Sequence, residues 1–167
     1  VIPTKIQIPH LRKDVIVRVS IFHKLDEALE GGTAITLISA PAGYGKTSLV
    51  ASWLRHTKKD AAWLSLDIDD DNLPRLILYI ISALQTVQPE IGHKALGILN
   101  DSGWDAIQPD AILSSLIQDI SQLASPVLLI LDDVHFLASP EAQIFIANLI
   151  EYSHHYLQCF ITTRNDP

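Results

Sequence analysis

Apolar residues occur in this chain in two alternating patterns. Near-continuous apolar runs, typical of strands buried on both faces, cover residues 34–39, 61–66, 127–131 and 157–163. Amphipathic helical spacing covers residues 21–29, 46–56, 74–87, 110–123 and 140–152, whereas residues 96–104 are ambiguous. Because strands alternate with helices, the sequence predicts an α/β fold in which helices cover both faces of a parallel sheet.

The composition bears on the number of domains, the binding partners and the state of the cysteine. The chain has 167 residues, 48% of them apolar, which suits one domain with a single full core. The net charge of −7 disfavours direct binding of nucleic acid or anionic lipid. The single cysteine, Cys159, lies in an apolar run, which predicts a buried thiol and a reducing, cytoplasmic setting.

The longest apolar runs and the two ends of the chain lead to two further expectations. No apolar run approaches the roughly 18 residues that span a bilayer, so we expect no membrane segment. The chain starts at Val1, contains no methionine and stops just after a predicted strand. We therefore expect a piece cut from a longer protein.

The turn after the first strand carries a phosphate-binding pattern. Residues 40–47 match the P-loop pattern G-x-x-x-x-G-K-[ST], except that Ala40 replaces the first glycine. Backbone N–H groups of such a loop, with the start of the next helix, surround phosphate groups. We predict that Lys46 bridges the β- and γ-phosphates and that the Thr47 hydroxyl binds Mg²⁺. The other predicted nucleotide contacts in the loop are Ala42, Gly43, Tyr44, Gly45 and Ser48.

The alternative to a phosphate site is a plain turn with a solvated lysine. The match lies between an apolar strand and a helix, which is the context that the motif requires. This context favours the P-loop interpretation.

Two carboxylates follow the third predicted strand. Residues 127–131 are all apolar, and Asp132 and Asp133 come next, as in a Walker B strand. A parallel strand delivers the residues after it to the carboxyl edge of the sheet, where α/β proteins bind ligands. We predict that Asp132 holds Mg²⁺, directly or through water, and that Asp133 orients or deprotonates the attacking water. The alternative is that these aspartates only end a strand.

An arginine follows the last predicted strand. Arg164 stands at the same sheet edge as the phosphate loop, where a cation can sense or stabilise a γ-phosphate. A solvated charge is the alternative. We interpret His135, Tyr44 and the pair His154 and His155 as packing, capping or surface groups rather than catalytic ones.

The acidic run at residues 67–72 does not form a calcium loop. An EF-hand loop requires glycine at the position of Asn72 and glutamate at the position of Leu78. We predict instead a solvated acidic turn, with Asn72 near the N-cap of the next helix.

Four segments together resemble a known family. They are residues 39–47 (SAPAGYGKT), 63–67 (WLSLD), 131–135 (LDDVH) and 162–167 (TTRNDP). In this order they are similar to the N-terminal ATPase domain of MalT-like regulators of the LuxR family, which belong to the STAND class of signal-transduction NTPases. A phosphate loop with alanine at position 40 is itself typical of that family. Residues 16–18 resemble its adenine-side motif, which implies Arg18 as a nucleotide contact, although Val17 occupies a position that is often small.

The resemblance implies a three-layer P-loop NTPase sandwich of the additional-strand class. The sheet order would be second, third, fourth, first, and the family's fifth strand would lie past residue 167. Residues 1–30 would form an N-terminal extension with the first helix, and residues 31–167 the P-loop NTPase core. The P-loop strand would then lie at an edge, and because an open edge invites pairing with another chain, we expect some self-association.

The resemblance also implies a function. ATP or ADP with Mg²⁺ would be the cofactors of a switch that rests with ADP, oligomerises with ATP and activates transcription. DNA would be contacted only through a C-terminal domain outside this chain. A sensor histidine of the family also lies outside it, so slow hydrolysis, or none, is expected from this domain alone.

Two other classes of function stay open from the residues. One is a true catalytic P-loop enzyme, such as a motor ATPase or a kinase. The other is a degenerate P-loop domain that serves only as a protein-interaction scaffold.

Overall fold

The computed structural model describes residues 1–11, 19–102 and 107–164. These ranges contain four strands and six helices, and three of the helices follow one another between the second and third strands. The strands are β1 (Ile35–Ser39), β2 (Ala62–Ser65), β3 (Val127–Asp132) and β4 (Leu157–Thr163). The helices are α1 (Val19–Glu30), α2 (Lys46–Thr57), α3 (Leu73–Gln85), α4 (His93–Ser102), α5 (Pro109–Ser121) and α6 (Pro140–Ser153). Short 3₁₀ turns occupy Pro3–Lys5, Ile68–Asp70 and Val134–Phe136.

The sheet is parallel throughout, in the order β1-β4-β3-β2. This confirms the predicted α/β fold and its strand order. Strands β3 and β4 are central and almost fully buried, because helices cover both of their faces. Strand β1, which leads into the phosphate loop, lies at one edge, and β2 lies at the other.

Alternate residues of the strands face two separate apolar cores. Leu128, Ile130 and Phe160 point to the core beneath α1 and α2, which we call the P-loop-side core. Leu129 and Cys159 point to the core beneath α3, α4, α5 and α6, which we call the four-helix-side core. By the same period of two, Asp132 and Thr162 face the P-loop side at the carboxyl edge of the sheet.

Aromatic packing fixes α2 against the sheet. The indole of Trp53 stacks on the ring of Phe160, with ring centroids 5.0 Å apart and an interplanar angle of 9°. The Trp53 Nε1 atom donates a hydrogen bond of 2.8 Å to Asp26 of α1. The helix that begins with the phosphate loop is therefore held by both the sheet and α1.

The structure also bears on several smaller expectations from the sequence. Residues 93–102, which overlap the ambiguous stretch at 96–104, are helical, and α1 covers Val19–Glu30, whereas the sequence predicted residues 21–29. Cys159 is fully buried, as predicted, and burial raises the pKa of its thiol. Within the described ranges, no helix is long and apolar enough to cross a bilayer.

The prediction of a solvated acidic turn at residues 67–72 is wrong in part. Asn72 does cap α3, since its side chain accepts a hydrogen bond from the backbone N–H of Arg75. Asp70, however, has no exposed surface and is paired with Lys5 and Arg75. The predicted solvation fails because Lys5 comes from the N-terminal segment, 65 residues away in sequence.

Candidate functional site

The phosphate loop forms an open turn between β1 and α2. Gly43 and Gly45 have φ values of 82° and 77°, a backbone conformation that other residues adopt at a cost. No atom lies within 4 Å of a Cβ built on either glycine, so the space in front of them is free in the described part of the chain. Gly45 is the N-cap of α2 and offers no side-chain cap. The first N–H groups of α2 therefore remain available to an anion.

Lys46 lies within this turn rather than in solvent. Its side chain is largely buried, and Nζ donates hydrogen bonds of 2.7 Å to the carbonyl of Ala40 and 3.3 Å to that of Pro41. The ammonium group is thus folded back over the loop, where an anion bound by the loop would meet it. Lys46 is therefore not a solvated lysine, and its role at the phosphates stays a prediction.

Thr47 and Asp132 meet across the gap between α2 and β3. The Thr47 hydroxyl lies 2.9 and 3.0 Å from the two carboxylate oxygens of Asp132 and donates to them. Asp132 is only 3% exposed, whereas Thr47 is half-buried. The two predicted magnesium ligands, 85 residues apart in sequence, are therefore neighbours.

A third residue, Thr162 of β4, completes this group. Its hydroxyl donates a hydrogen bond of 2.6 Å to Asp132 and accepts one of 2.9 Å from the backbone N–H of Asp133. Thr162 is fully buried. The sequence analysis did not select Thr162. A signal was present, because Thr162 lies two residues before Arg164 and, by the period of two, on the same face of β4 as Phe160, which is the phosphate-loop side.

Asp133 stands in a special backbone conformation. Its φ of 63° and ψ of 44° lie in the left-handed region, which aspartate tolerates better than most residues. The bond to Thr162 holds this turn, and the carboxylate lies 3.6 Å from the Nδ1 atom of His135. Burial lowers the pKa of His135, despite the opposing charge of Asp133. His135 also packs on Phe136, with ring centroids 4.4 Å apart.

Arg164 reaches back over the same turn. Its guanidinium carbon lies 5.6 Å from the centroid of the Phe136 ring, a cation–π distance. The residue is exposed. Arg164 directly follows β4 at the carboxyl edge of the sheet, as predicted, and its guanidinium lies over Phe136.

The pKa of Asp132 depends on its burial and on the groups that contact its carboxylate. Burial raises the pKa of this carboxyl, and the hydrogen bonds from Thr162 and Thr47 only partly offset that increase. The ionised form is therefore disfavoured in the protein without a cation. A divalent cation beside the carboxylate would reverse this balance.

The donor set fits magnesium better than a softer metal. Mg²⁺ takes oxygen ligands and is commonly bound by one or two carboxylates together with nucleotide phosphates and water. Thr47 and Asp132 supply one hydroxyl and one carboxylate. The described residues contain no group of three or more histidine, cysteine, aspartate or glutamate side chains that could hold a metal. The hydroxyl of Thr47 and the carboxylate of Asp132 fit a hard cation that takes its further oxygen ligands from phosphate groups.

The remaining predicted contacts divide into two sets. Ala42, Gly43, Tyr44, Gly45 and Ser48 are all exposed around the loop, as residues facing a ligand would be. Arg18 lies outside the described residues. His154 and His155 are exposed just after the end of α6.

A family profile matches most of the chain. Residues 17–161 match the AAA ATPase domain. The chain belongs to this family. It is a nucleotide-binding domain of the AAA type.

The chain is also similar to part of two longer proteins. The serine/threonine-protein kinases PknK of Mycobacterium tuberculosis (strain H37Rv) and Mycobacterium bovis are 29% identical to the chain over 136 residues. The match covers 80% of this chain and 12% of each kinase, so the chain spans about an eighth of these relatives.

Two solved structures share the fold. A chain of Drosophila ORC bound to DNA has a TM-score of 0.57 at 12% identity, covering 97% of this chain and 42% of that one. A chain of Drosophila ORC bound to AT-rich DNA and Cdc6 has a TM-score of 0.59 at 15% identity, covering 88% and 46%. At these identities the similarity shows the fold alone.

Proposed function

We propose that this domain binds ATP and ADP with Mg²⁺ as the regulatory switch of a signal-responsive transcriptional activator of the MalT-like, LuxR-family type. The observation that carries the nucleotide part is the contact between Thr47 and Asp132, because it joins the phosphate loop to the acidic strand end. The regulatory part rests on the resemblance of four sequence segments to STAND-class NTPases.

Each residue has a distinct role in this proposal. The N–H groups of the loop and the Lys46 ammonium hold the phosphates, and Lys46 exchanges its two carbonyl partners for phosphate oxygens. Thr47 and Asp132 hold Mg²⁺, which neutralises phosphate charge when it is bound. Thr162 keeps the Asp132 carboxylate turned toward Thr47.

Hydrolysis in this proposal is slow. Asp133 orients water but points toward His135 at 3.6 Å, and Arg164 rests over Phe136 rather than over the loop. We infer that both groups leave these partners before they act on a γ-phosphate. We propose that segments outside this chain control that movement, which is the behaviour expected of a switch rather than of a turnover enzyme.

A further part of the proposal concerns the open edge of the sheet. Strand β1 pairs only with β4 in the described structure, and Ile35 and Leu37 are 48% and 42% exposed. Unpaired strand edges with apolar side chains favour pairing with another chain. We propose self-association of the ATP-bound longer protein, and contact with DNA only through a region outside this chain.

Calorimetric titration of the domain with ADP and ATP, with and without Mg²⁺, tests the proposal. We expect binding of both nucleotides, a Mg²⁺ requirement that depends on Asp132, and turnover well below the 1 s⁻¹ at the lower end of common enzyme rates. Turnover near or above 1 s⁻¹ would favour a catalytic P-loop enzyme. No binding of any nucleotide by the folded domain would favour a protein-interaction scaffold.

A further inference from the structure

Residues 133–139 connect β3 to α6, and we call them the Asp133 loop. The loop begins with Asp133 in its left-handed conformation and continues with the 3₁₀ turn at Val134–Phe136. It ends at Ser139, whose side chain caps α6 by accepting a hydrogen bond of 3.3 Å from the backbone N–H of Ala142. The placement of Asp133 therefore depends on how this loop is held at its two ends.

Both ends of the Asp133 loop are held through backbone N–H groups. At the start, the N–H of Asp133 donates to the Thr162 hydroxyl at 2.9 Å. At the end, the N–H of Ser139 donates to the carboxylate of Asp71 at 2.8 Å. Asp71 lies 68 residues earlier, in the acidic run that follows β2. That run has no part in the candidate site as described above, yet it reaches the far end of the loop that begins with Asp133.

The contact from Asp71 completes the start of α6. In a capping box, the side chain at the third helical position accepts the backbone N–H of the N-cap residue. In α6 that third position is Ala142, whose methyl group cannot accept a hydrogen bond. Asp71 supplies the acceptor from another part of the chain, and a charged acceptor makes a stronger hydrogen bond than a neutral one. A residue distant in sequence therefore fixes the point where the Asp133 loop ends.

Asp71 is itself held by the residues on either side of it. Asp70 has no exposed surface, and its carboxylate contacts the Lys5 ammonium and accepts a hydrogen bond of 3.0 Å from Nε of Arg75. On the other side, the Asn72 side chain accepts a hydrogen bond of 3.2 Å from the backbone N–H of Arg75 and caps α3. Asp71 is thus an acceptor fixed in advance, so its bond to the loop costs little additional conformational freedom.

We propose that Asp71 is a positioning residue for Asp133, because it fixes the far end of the Asp133 loop. The inference rests on the proposed function, in which Asp133 orients the attacking water. Productive geometry tolerates displacements of only about 0.5 Å, and a loop fixed at one end alone would present Asp133 over a wider range of positions. Fixed backbone ends do not prevent the Asp133 side chain from turning away from His135.

Single-turnover hydrolysis, with the protein in excess over Mg-ATP, tests this role even when hydrolysis is slow. Asp71→Ala removes the acceptor, and we expect the rate constant to fall about tenfold while the affinities for Mg-ATP and Mg-ADP stay within about twofold of the parent. Asp71→Asn keeps an oxygen acceptor at the same position along the side chain and should restore the rate to within about threefold of the parent. Asp69→Ala removes an exposed carboxylate from the same turn and is the matched control, with the parent rate expected.

A double variant separates positioning from stabilisation. Asp133→Asn removes the carboxylate that the loop presents, and we expect it to slow hydrolysis about a hundredfold. Adding Asp71→Ala to it should slow hydrolysis by less than about twofold, because no carboxylate is left to position. If Asp71 only stabilised the start of α6, its replacement would have the same effect with and without Asp133.

Each other outcome has a defined meaning. Parent-like hydrolysis by Asp71→Ala would overturn the inference. Equal losses in Asp71→Ala and Asp71→Asn would also overturn it, because the effect would then come from the charge and not from the hydrogen bond. A parent that binds Mg-ATP without hydrolysing it would remove the role of Asp133, and the inference with it. A parent that binds no nucleotide would contradict the proposed function as a whole.

Amide hydrogen exchange tests the physical step without any nucleotide. In Asp71→Ala, the N–H groups of Ser139, Phe136 and Leu137 should exchange about tenfold faster than in the parent, whereas the N–H of Leu129 in the centre of β3 should be unchanged. Unchanged exchange throughout the Asp133 loop would overturn the inference whatever the rates of hydrolysis.

Discussion

The hydroxyl of Thr162 donates a hydrogen bond of 2.6 Å to the carboxylate of Asp132, and both side chains are buried. The same hydroxyl accepts the N–H of Asp133, so one side chain of β4 holds both the Asp132 carboxylate and the backbone of the residue that follows β3. The contact joins the strand that leads to Arg164 with the strand that ends at the candidate magnesium site.

The first prediction concerns this hydroxyl. Thr162→Val keeps the side-chain shape, leaves the Asp133 N–H without its partner and removes one of the two hydroxyl donors to Asp132 Oδ1. We expect the free energy of unfolding to fall by about 1–3 kcal/mol and Mg-ATP affinity to fall about tenfold. Urea denaturation and calorimetry measure the two effects. Thr162→Ser retains the hydroxyl and should lie close to the parent; equal losses in both variants would contradict the role of the hydrogen bonds.

The second prediction concerns Lys46. Lys46→Ala removes the ammonium group that the loop carbonyls now hold, and we expect nucleotide affinity to fall about a hundredfold or more, equivalent to at least about 2.7 kcal/mol. Titration with ADP and ATP gives the affinities. Lys94→Ala, on exposed α4, serves as the control for removing one positive charge from the surface. Parent-like binding by Lys46→Ala would remove the phosphate site from this loop.

The third prediction separates stability from function at Asp132. Burial raises the pKa of this carboxyl, which means that its charge is unfavourable in the cation-free fold. Asp132→Asn removes the charge while its amide can still bond to Thr47 and Thr162. We expect a melting temperature equal to or above that of the parent, together with loss of the Mg²⁺ dependence of ATP binding. A lower melting temperature with Mg²⁺ dependence retained would contradict both statements.

The fourth prediction is a pH dependence of the ion cluster formed by Lys5, Asp67 and Asp70. Burial alone would raise the pKa of Asp67, but the hydrogen bond and charge of Lys5 outweigh it, and the pKa is lowered. A carboxyl with a lowered pKa stabilises the fold above its unfolded pKa and loses that contribution as the pH falls. The difference in melting temperature between the parent and Lys5→Met should therefore be largest near neutral pH and shrink below about pH 4.

Thermal melts of the two proteins between pH 7 and pH 3 provide the measurement. Lys94→Met, whose lysine is exposed, should differ from the parent by the same small amount across the series. A difference between the parent and Lys5→Met that stays constant down to pH 3 would show that the Lys5–Asp67 pair contributes nothing to stability.

Much of the fold follows from local patterns. The run at Val127–Asp132 is apolar at every position before its last, so it predicts a central strand without knowledge of its neighbours. The P-loop motif is contiguous, and its carboxylate partner must follow a strand that ends at the same sheet edge. The pairing of Thr47 with Asp132 could therefore be predicted, and the structure brings the two residues together.

Contacts set by distant parts of the chain could not be predicted in the same way. The burial of Asp70 depends on Lys5, which lies in a segment without helical or strand periodicity. The bridging role of Thr162 depends on the register between β3 and β4, which periodicity alone does not fix. In both cases the missing information is which polar group meets which after the chain has folded.

The stack of Trp53 on Phe160 gives the domain a natural optical reporter. Trp53 lies in the helix that begins at Lys46, and Phe160 lies four residues before Arg164 on β4. Any shift of that helix against that strand changes the surroundings of an indole that is otherwise fully enclosed. The emission of Trp53, isolated by replacing the other tryptophans with phenylalanine, would follow such a shift without an attached dye.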